Sequence, residues 1–120
     1  MGIVLVNRHG VVENVNPALS SIIGYEADEL IESGLSVFLG PDHLARMEDM
    51  RAPVESLLTG TIPSFEFEQP FVTRDGRSIW LGVCVSLMQD EKGELLDLVA
   101  VIQDVTTRKD AERVKGIPRL

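Results

Sequence analysis

The 120-residue chain holds one Cys, two His, one Trp, one Tyr and four Phe, and each scarcity removes a class of function. Cys84 has no second cysteine to pair with, so an internal disulfide and a multi-cysteine metal site are both excluded. This usage predicts a reducing setting. His9 and His43 are isolated from each other, no two ligands stand at metal-binding spacing, and no metal site is expected. Neither a nucleophile with an adjacent base nor an inward carboxylate pair is visible, which argues against an enzyme and leaves catalytic residues at none. Basic residues are also few. The 11 Lys+Arg against 19 Asp+Glu give a formal charge of -8 with no clustered basic stripe, which disfavours nucleic acid and anionic lipid as partners. The longest purely apolar run, 98–102, is far short of the roughly 20 residues that span a bilayer, and residues 1–6 lack the charged start of a signal peptide. The expected location is cytoplasmic, without direct membrane contact, although a larger parent protein could still be anchored.

What the chain does have is β-rich alternation. At 44% hydrophobic content, its length suits one core and one domain. Two short β-rich runs, 3–6 and 11–15, flank a loop with Gly10 and predict a hairpin. Three longer runs follow at 64–74, 77–88 and 95–105. The Asp75-Gly76 pair between the first two of these reads as a tight turn with positive φ at both residues. Between the two β-rich halves lie helix signals. Asn16 and Pro17 mark a helix start and Gly24 its stop, and 26–31 reads as a short helix. Residues 35–39 read as a single turn. Residues 41–58 read as a longer helix that Pro53 should kink or split, with Leu44, Met47, Val54, Leu57 and Leu58 roughly on one face. The class is α+β, a five-stranded antiparallel sheet with short helices packed on one face.

Strand phase separates the two sheet faces. Phe65 and Phe67 point inward, as do Ile79, Leu81, Val83, Val85 and Leu87, and then Leu96, Leu98, Ala100 and Ile102. The opposite face carries Trp80, Cys84, Met88, Val99 and Val101, an apolar patch that something should cover. Trp80, Met88, Val99 and Val101 are therefore the candidate dimer-interface residues.

This order of elements resembles the PAS (Per-Arnt-Sim) sensory domain family over nearly the whole chain. The residues that carry the resemblance are Asn14-Val15-Asn16-Pro17-Ala18, then Ile23-Gly24-Tyr25 with Glu29-Leu30-Ile31, then Phe38-Leu39-Gly40-Pro41-Asp42. Arg74-Asp75-Gly76-Arg77 matches the family's central hairpin, and Asp104-Val105-Thr106 followed by Arg108, Lys109, Ala111 and Glu112 matches its terminal motif and exit helix. The resemblance implies a PAS domain over 1–106 with an exit helix and tail over 107–120. It further implies a sensory, signal-relay module of a larger bacterial protein, such as a histidine kinase or a cyclic-dinucleotide enzyme. A last strand running directly into a helix can pass a change of twist to a downstream effector. Asp104 and Thr106 are the candidate coupling residues, with an ordinary strand end and helix cap as the plainer alternative.

The resemblance also frames the cofactor question. Histidine-ligated haem is disfavoured, because the family's axial His would lie where Glu48 stands, while His43 is near the helix start and His9 in a loop. A flavin photoadduct is disfavoured too: residues 34–40 hold no Cys, and Ile102 occupies the position of the flavin-contacting Gln. No cofactor is predicted, with a small molecule or a non-covalent flavin left open. Val37, Leu44, Met47, Phe65, Phe67, Leu81, Val83, Ala100 and Ile102 would line a ligand pocket; the favoured expectation is that they simply fill the core. The alternative function is a cofactor-free dimerisation or protein-interaction module, a homodimer through the outer sheet face.

Overall fold

The apolar runs become strands and the capped segments become helices in the computed structural model of the chain. It describes residues 1–7, 9–34 and 43–116, with side chains at all of these except 43, 44, 95, 96 and 112–116. In chain order the elements are β1 (Gly2–Val6), β2 (Val12–Val15), α1 (Pro17–Ile23), α2 (Ala27–Ser33), α3 (His43–Leu58), β3 (Ser64–Val72), β4 (Ser78–Gln89), β5 (Leu95–Asp104) and α4 (Thr106–Gly116). The five strands form one antiparallel sheet in the order β2-β1-β5-β4-β3. The single turn expected at 35–39 lies outside the described residues.

Three hairpins of this sheet share one turn chemistry. At the β1–β2 turn the Asn7 N–H donates to the Val11 carbonyl at 2.9 Å and the Gly10 N–H to the Asn7 carbonyl at 3.0 Å. Thr73, Gly76 and Arg77 repeat that pattern between β3 and β4, and Asp90, Gly93 and Glu94 repeat it between β4 and β5. Each first residue adds a side-chain acceptor: Asn7 Oδ1 for the amides of His9 and Val11, Thr73 Oγ1 for that of Arg77, Asp90 Oδ1 for those of Lys92 and Glu94. Among the described residues of each turn only the glycine has positive φ, 81°, 89° and 79° respectively. The expectation for Asp75 is thereby corrected. Asp75 keeps negative φ because the turn closed by Thr73 and Arg77 holds three residues, one more than a two-residue hairpin, and confines left-handed geometry to Gly76. The Thr73 hydroxyl donates to the Asp75 carboxylate and, with Arg77 beside it, holds that carboxyl below its ordinary range.

Helices α1 to α3 cover the inner face. Asn16 starts α1 and also ties it to the sheet, since its Oδ1 accepts from Leu19 N at 3.2 Å and Ile3 N at 2.9 Å while its Nδ2 donates to the Met1 carbonyl. Pro17 occupies the first turn, and Gly24, at φ 81°, ends the helix. A reciprocal capping box between Glu26 and Glu29 starts α2. Leu19, Ile23, Leu30 and Leu57 project from these helices to full burial against Val4, Leu81 and Ile102. Each such side chain contributes about 1.5–3 kcal/mol. Gly2 is required by this packing, because a Cβ there would lie 2.7 Å from Leu19 Cδ1.

Of the kink or split expected at Pro53, the split does not occur: α3 is continuous over 16 residues. Its apolar residues are unequally buried: Leu57 is buried, whereas Leu58 is 48% and Met47 46% exposed. Met47, Met50, Arg51 and Val54, spaced as one helical face, line the cleft between helix and sheet.

Candidate functional site: an inner cleft and the exit-helix junction

Between α3 and the inner sheet face lies a cleft of about 530 Å³. Its floor is Phe65 and Phe67 from β3, Leu81, Val83 and Val85 from β4, and Leu98, Ala100 and Ile102 from β5, with Val4 and Val6 from β1 at one side. The side chains nominated from strand phase thus converge, together with Met47 from α3. Val37 lies outside the described residues, and so does the side chain of Leu44. Among the described residues a gap separates α3 from the inner sheet face, while Leu57 near the C-terminal end of the helix is buried. The volume is of the size that small-molecule sites take, roughly 300–1,000 Å³.

One buried wall residue is polar. Gln69 is 2% exposed, sits opposite Leu81 in the β3–β4 ladder, and its Oε1 accepts from Arg46 Nη1 at 3.4 Å. Extending the inward alternation of Phe65 and Phe67 by two residues reaches Gln69, so the signal was in the sequence. A carboxamide has neither the acidity nor the nucleophilicity for acid–base or covalent work, but it can donate to and accept from a bound molecule. Glu48 and Arg51 sit on the α3 side and pair at 2.9 Å. Among the described residues, no three His, Cys, Asp or Glu side chains gather as a metal site.

The second candidate region is the end of β5. Past Asp104, which pairs with Leu81, the chain completes the β4 edge: Val105 N–H donates to the Trp80 carbonyl at 2.9 Å, and Trp80 N–H donates to Thr106 Oγ1 at 3.0 Å. Thr106 therefore supplies from its side chain the acceptor that a further strand residue would supply from its backbone. Asp104 Oδ1 accepts from both the amide and the hydroxyl of Thr106, which fixes the hydroxyl's direction and caps α4. Gly82 admits Val105 closely, since a Cβ there would come 3.1 Å from Val105 Cγ1.

Helix α4 leaves on the outer side of the sheet. Lys109 Nζ stands 4.7 Å from the Trp80 ring centroid and bonds Glu68 Oε1 at 3.2 Å, while Arg108 pairs with Glu68 Oε2. Trp80 is accordingly half-buried beneath the chain's own helix. The rest of the outer face remains open: Met88, Val99 and Val101 are half-buried, and β1 adds Ile3, which is opposite Val101 and 38% exposed, and Leu5, opposite Val99. The strand order that sets β1 beside β5 was not legible from phase alone.

A five-stranded antiparallel sheet with helices over one face, a cleft beneath them and a helix leaving the last strand defines a sensory domain architecture. The chain belongs to the PAS domain family, which it matches over residues 1–107. It is 30% identical over 114 residues to the probable diguanylate cyclase DgcE of Escherichia coli K12, and 28% identical over 111 residues to the sensor histidine kinase TmoS of Ectopseudomonas mendocina. The alignments cover 95% and 92% of this chain but 10% and 11% of those proteins, so the chain spans about a tenth of their length. The crystal structure of a PAS domain from Colwellia psychrerythraea shares the fold, with a TM-score of 0.70 at 18% identity, covering 89% of this chain and 87% of that one. As a PAS domain with such relatives, the chain is a sensory module of the kind built into signalling proteins. Among the described residues no helix is long and apolar enough to cross a membrane.

Proposed function

We propose that this PAS module binds a small, mainly apolar molecule in the inner cleft and relays its presence through β5 to α4 and an effector domain that follows. The single observation that carries the reading is the 530 Å³ cleft, walled by Leu81, Val83, Ala100 and Ile102 and holding one buried hydrogen-bonding group, Gln69. β5 contributes Ala100 and Ile102 to that wall and ends two residues later in the Asp104–Thr106 cap, so occupancy and output share one strand. The domain itself performs no chemistry in this reading. Effectors of the diguanylate cyclase or histidine kinase type are favoured by the relatives.

Native mass spectrometry of the purified chain, with a visible spectrum of the same sample, tests this. A retained mass lost on denaturation is expected, and a flavin absorbance would identify a non-covalent flavin as the occupant. Bare chain mass across preparations supplemented with cell extract would defeat the ligand reading.

A second reading is favoured by the open outer face. There Ile3, Leu5, Met88, Val99 and Val101 form a continuous apolar patch, and a second copy of the chain is the proposed cover. Dimerisation is compatible with ligand binding because the two use opposite faces of the sheet.

A further inference from the structure

We infer that Glu68 is a positioning residue that carries the state of the cleft to α4 through β3, a route separate from the covalent junction at the end of β5. The inference rests on the cleft being a ligand site. In a strand, successive side chains point to opposite faces, so Phe67 and Gln69 form cleft wall while Glu68, between them, faces outward. Its two carboxylate oxygens are divided between consecutive residues of the first turns of α4: Oε2 pairs with Arg108 and Oε1 with Lys109 at 3.2 Å. Lys109 in turn lies over the Trp80 ring. A shift of the wall at 67 and 69 therefore cannot leave the anchor of α4 in place.

Of the strands that wall the cleft, sheet order makes β3 the one most able to move. It is an edge strand bonded to β4 alone, whereas β5 is held on both sides by β1 and β4. Pro70 stands opposite Trp80, whose N–H and C=O both bond toward β5, so its missing N–H falls on the open edge of β3 and keeps a further strand from pairing there. Accommodating a ligand costs least where one ladder, not two, must flex. The sequence gives β3 this arrangement through three adjacent residues of different character, Phe67, Glu68 and Gln69.

A double-variant cycle on the 120-residue chain tests the route. Ala100→Met extends a side chain into the cleft and stands for occupancy; Val85→Leu does the same should the first variant not fold. Amide exchange across residues 107–114 and emission of Trp80, the one tryptophan, are read with and without Glu68→Gln. With Glu68 present, filling the cleft is expected to change exchange in α4 by roughly three- to tenfold and to shift Trp80 emission. With Glu68→Gln that response is expected to vanish, so the double variant matches Glu68→Gln alone. An equal response in both backgrounds overturns the proposal and assigns the coupling to β5. No response in the native background overturns it as well. The ligand reading fails on a different readout, the native mass of the unaltered chain, so the two failures are distinguishable.

Discussion

Single side chains here stand in for backbone. Thr106 accepts the Trp80 N–H where β5 has already ended, and Asp90 and Asn7 accept turn amides that no strand can reach. Thr106→Val keeps shape but leaves a half-buried donor without its acceptor, which should cost about 1–2 kcal/mol in urea unfolding, while Thr106→Ser should recover most of it. Equal stability of all three would show that water replaces the hydroxyl. Gln69 illustrates the other side of residue-scale reading. A lone amide among aromatic and aliphatic neighbours reads as surface when its strand is phased only as far as Phe67, and its burial follows from one more step of the same alternation.

At the scale of elements, the three hairpins repeat one recipe: an Asn, Thr or Asp that caps its own turn and a glycine three residues later. The recipe predicts a specific cost. Gly93 has φ 79° and nothing within 4 Å of where a Cβ would be, so Gly93→Ala meets only the backbone penalty of left-handed geometry, about 1–2 kcal/mol. Gly24→Ala should cost more, because the same geometry is joined by Arg74 Cβ at 3.3 Å. A thermal-melt comparison that ranked Gly93→Ala as the more damaging would contradict this account. Helix α3 is the element least predictable from its sequence. Its apolar residues fall roughly on one face, yet among their described side chains only Leu57 is fully buried while Met47 and Leu58 are about half exposed, because how far each sinks depends on the sheet beneath it.

For the whole molecule, the two sheet faces have separate tasks. The inner face encloses the cleft; the outer face carries the root of α4 and an apolar patch contributed by β1, β5 and β4. If a second copy covers that patch, Val99→Glu with Val101→Glu should convert a dimer to a folded monomer in light scattering, since charges would be buried without partners at its centre. A variant pair that stayed dimeric would remove the outer face as the interface. The acidic surface, at a formal charge of -8, makes the cationic pair Arg108 and Lys109 a local exception, and Glu68 claims both.

The sequence by itself determined the strands, their inward and outward phases, the caps of α1, the turns at Gly10 and Gly76 and the family, because each depends on a period or a local hydrogen-bond pattern within a few residues. It also named seven residues of the cleft wall, Met47, Phe65, Phe67, Leu81, Val83, Ala100 and Ile102. Only the tertiary structure decided that β1 lies beside β5, that α3 stands off the sheet and leaves a cleft, that Gln69 is buried in its wall, and that Glu68 reaches 40 or so residues along the chain to hold Arg108 and Lys109. These are long-range distances, set by how finished elements pack against one another, and no local pattern encodes them.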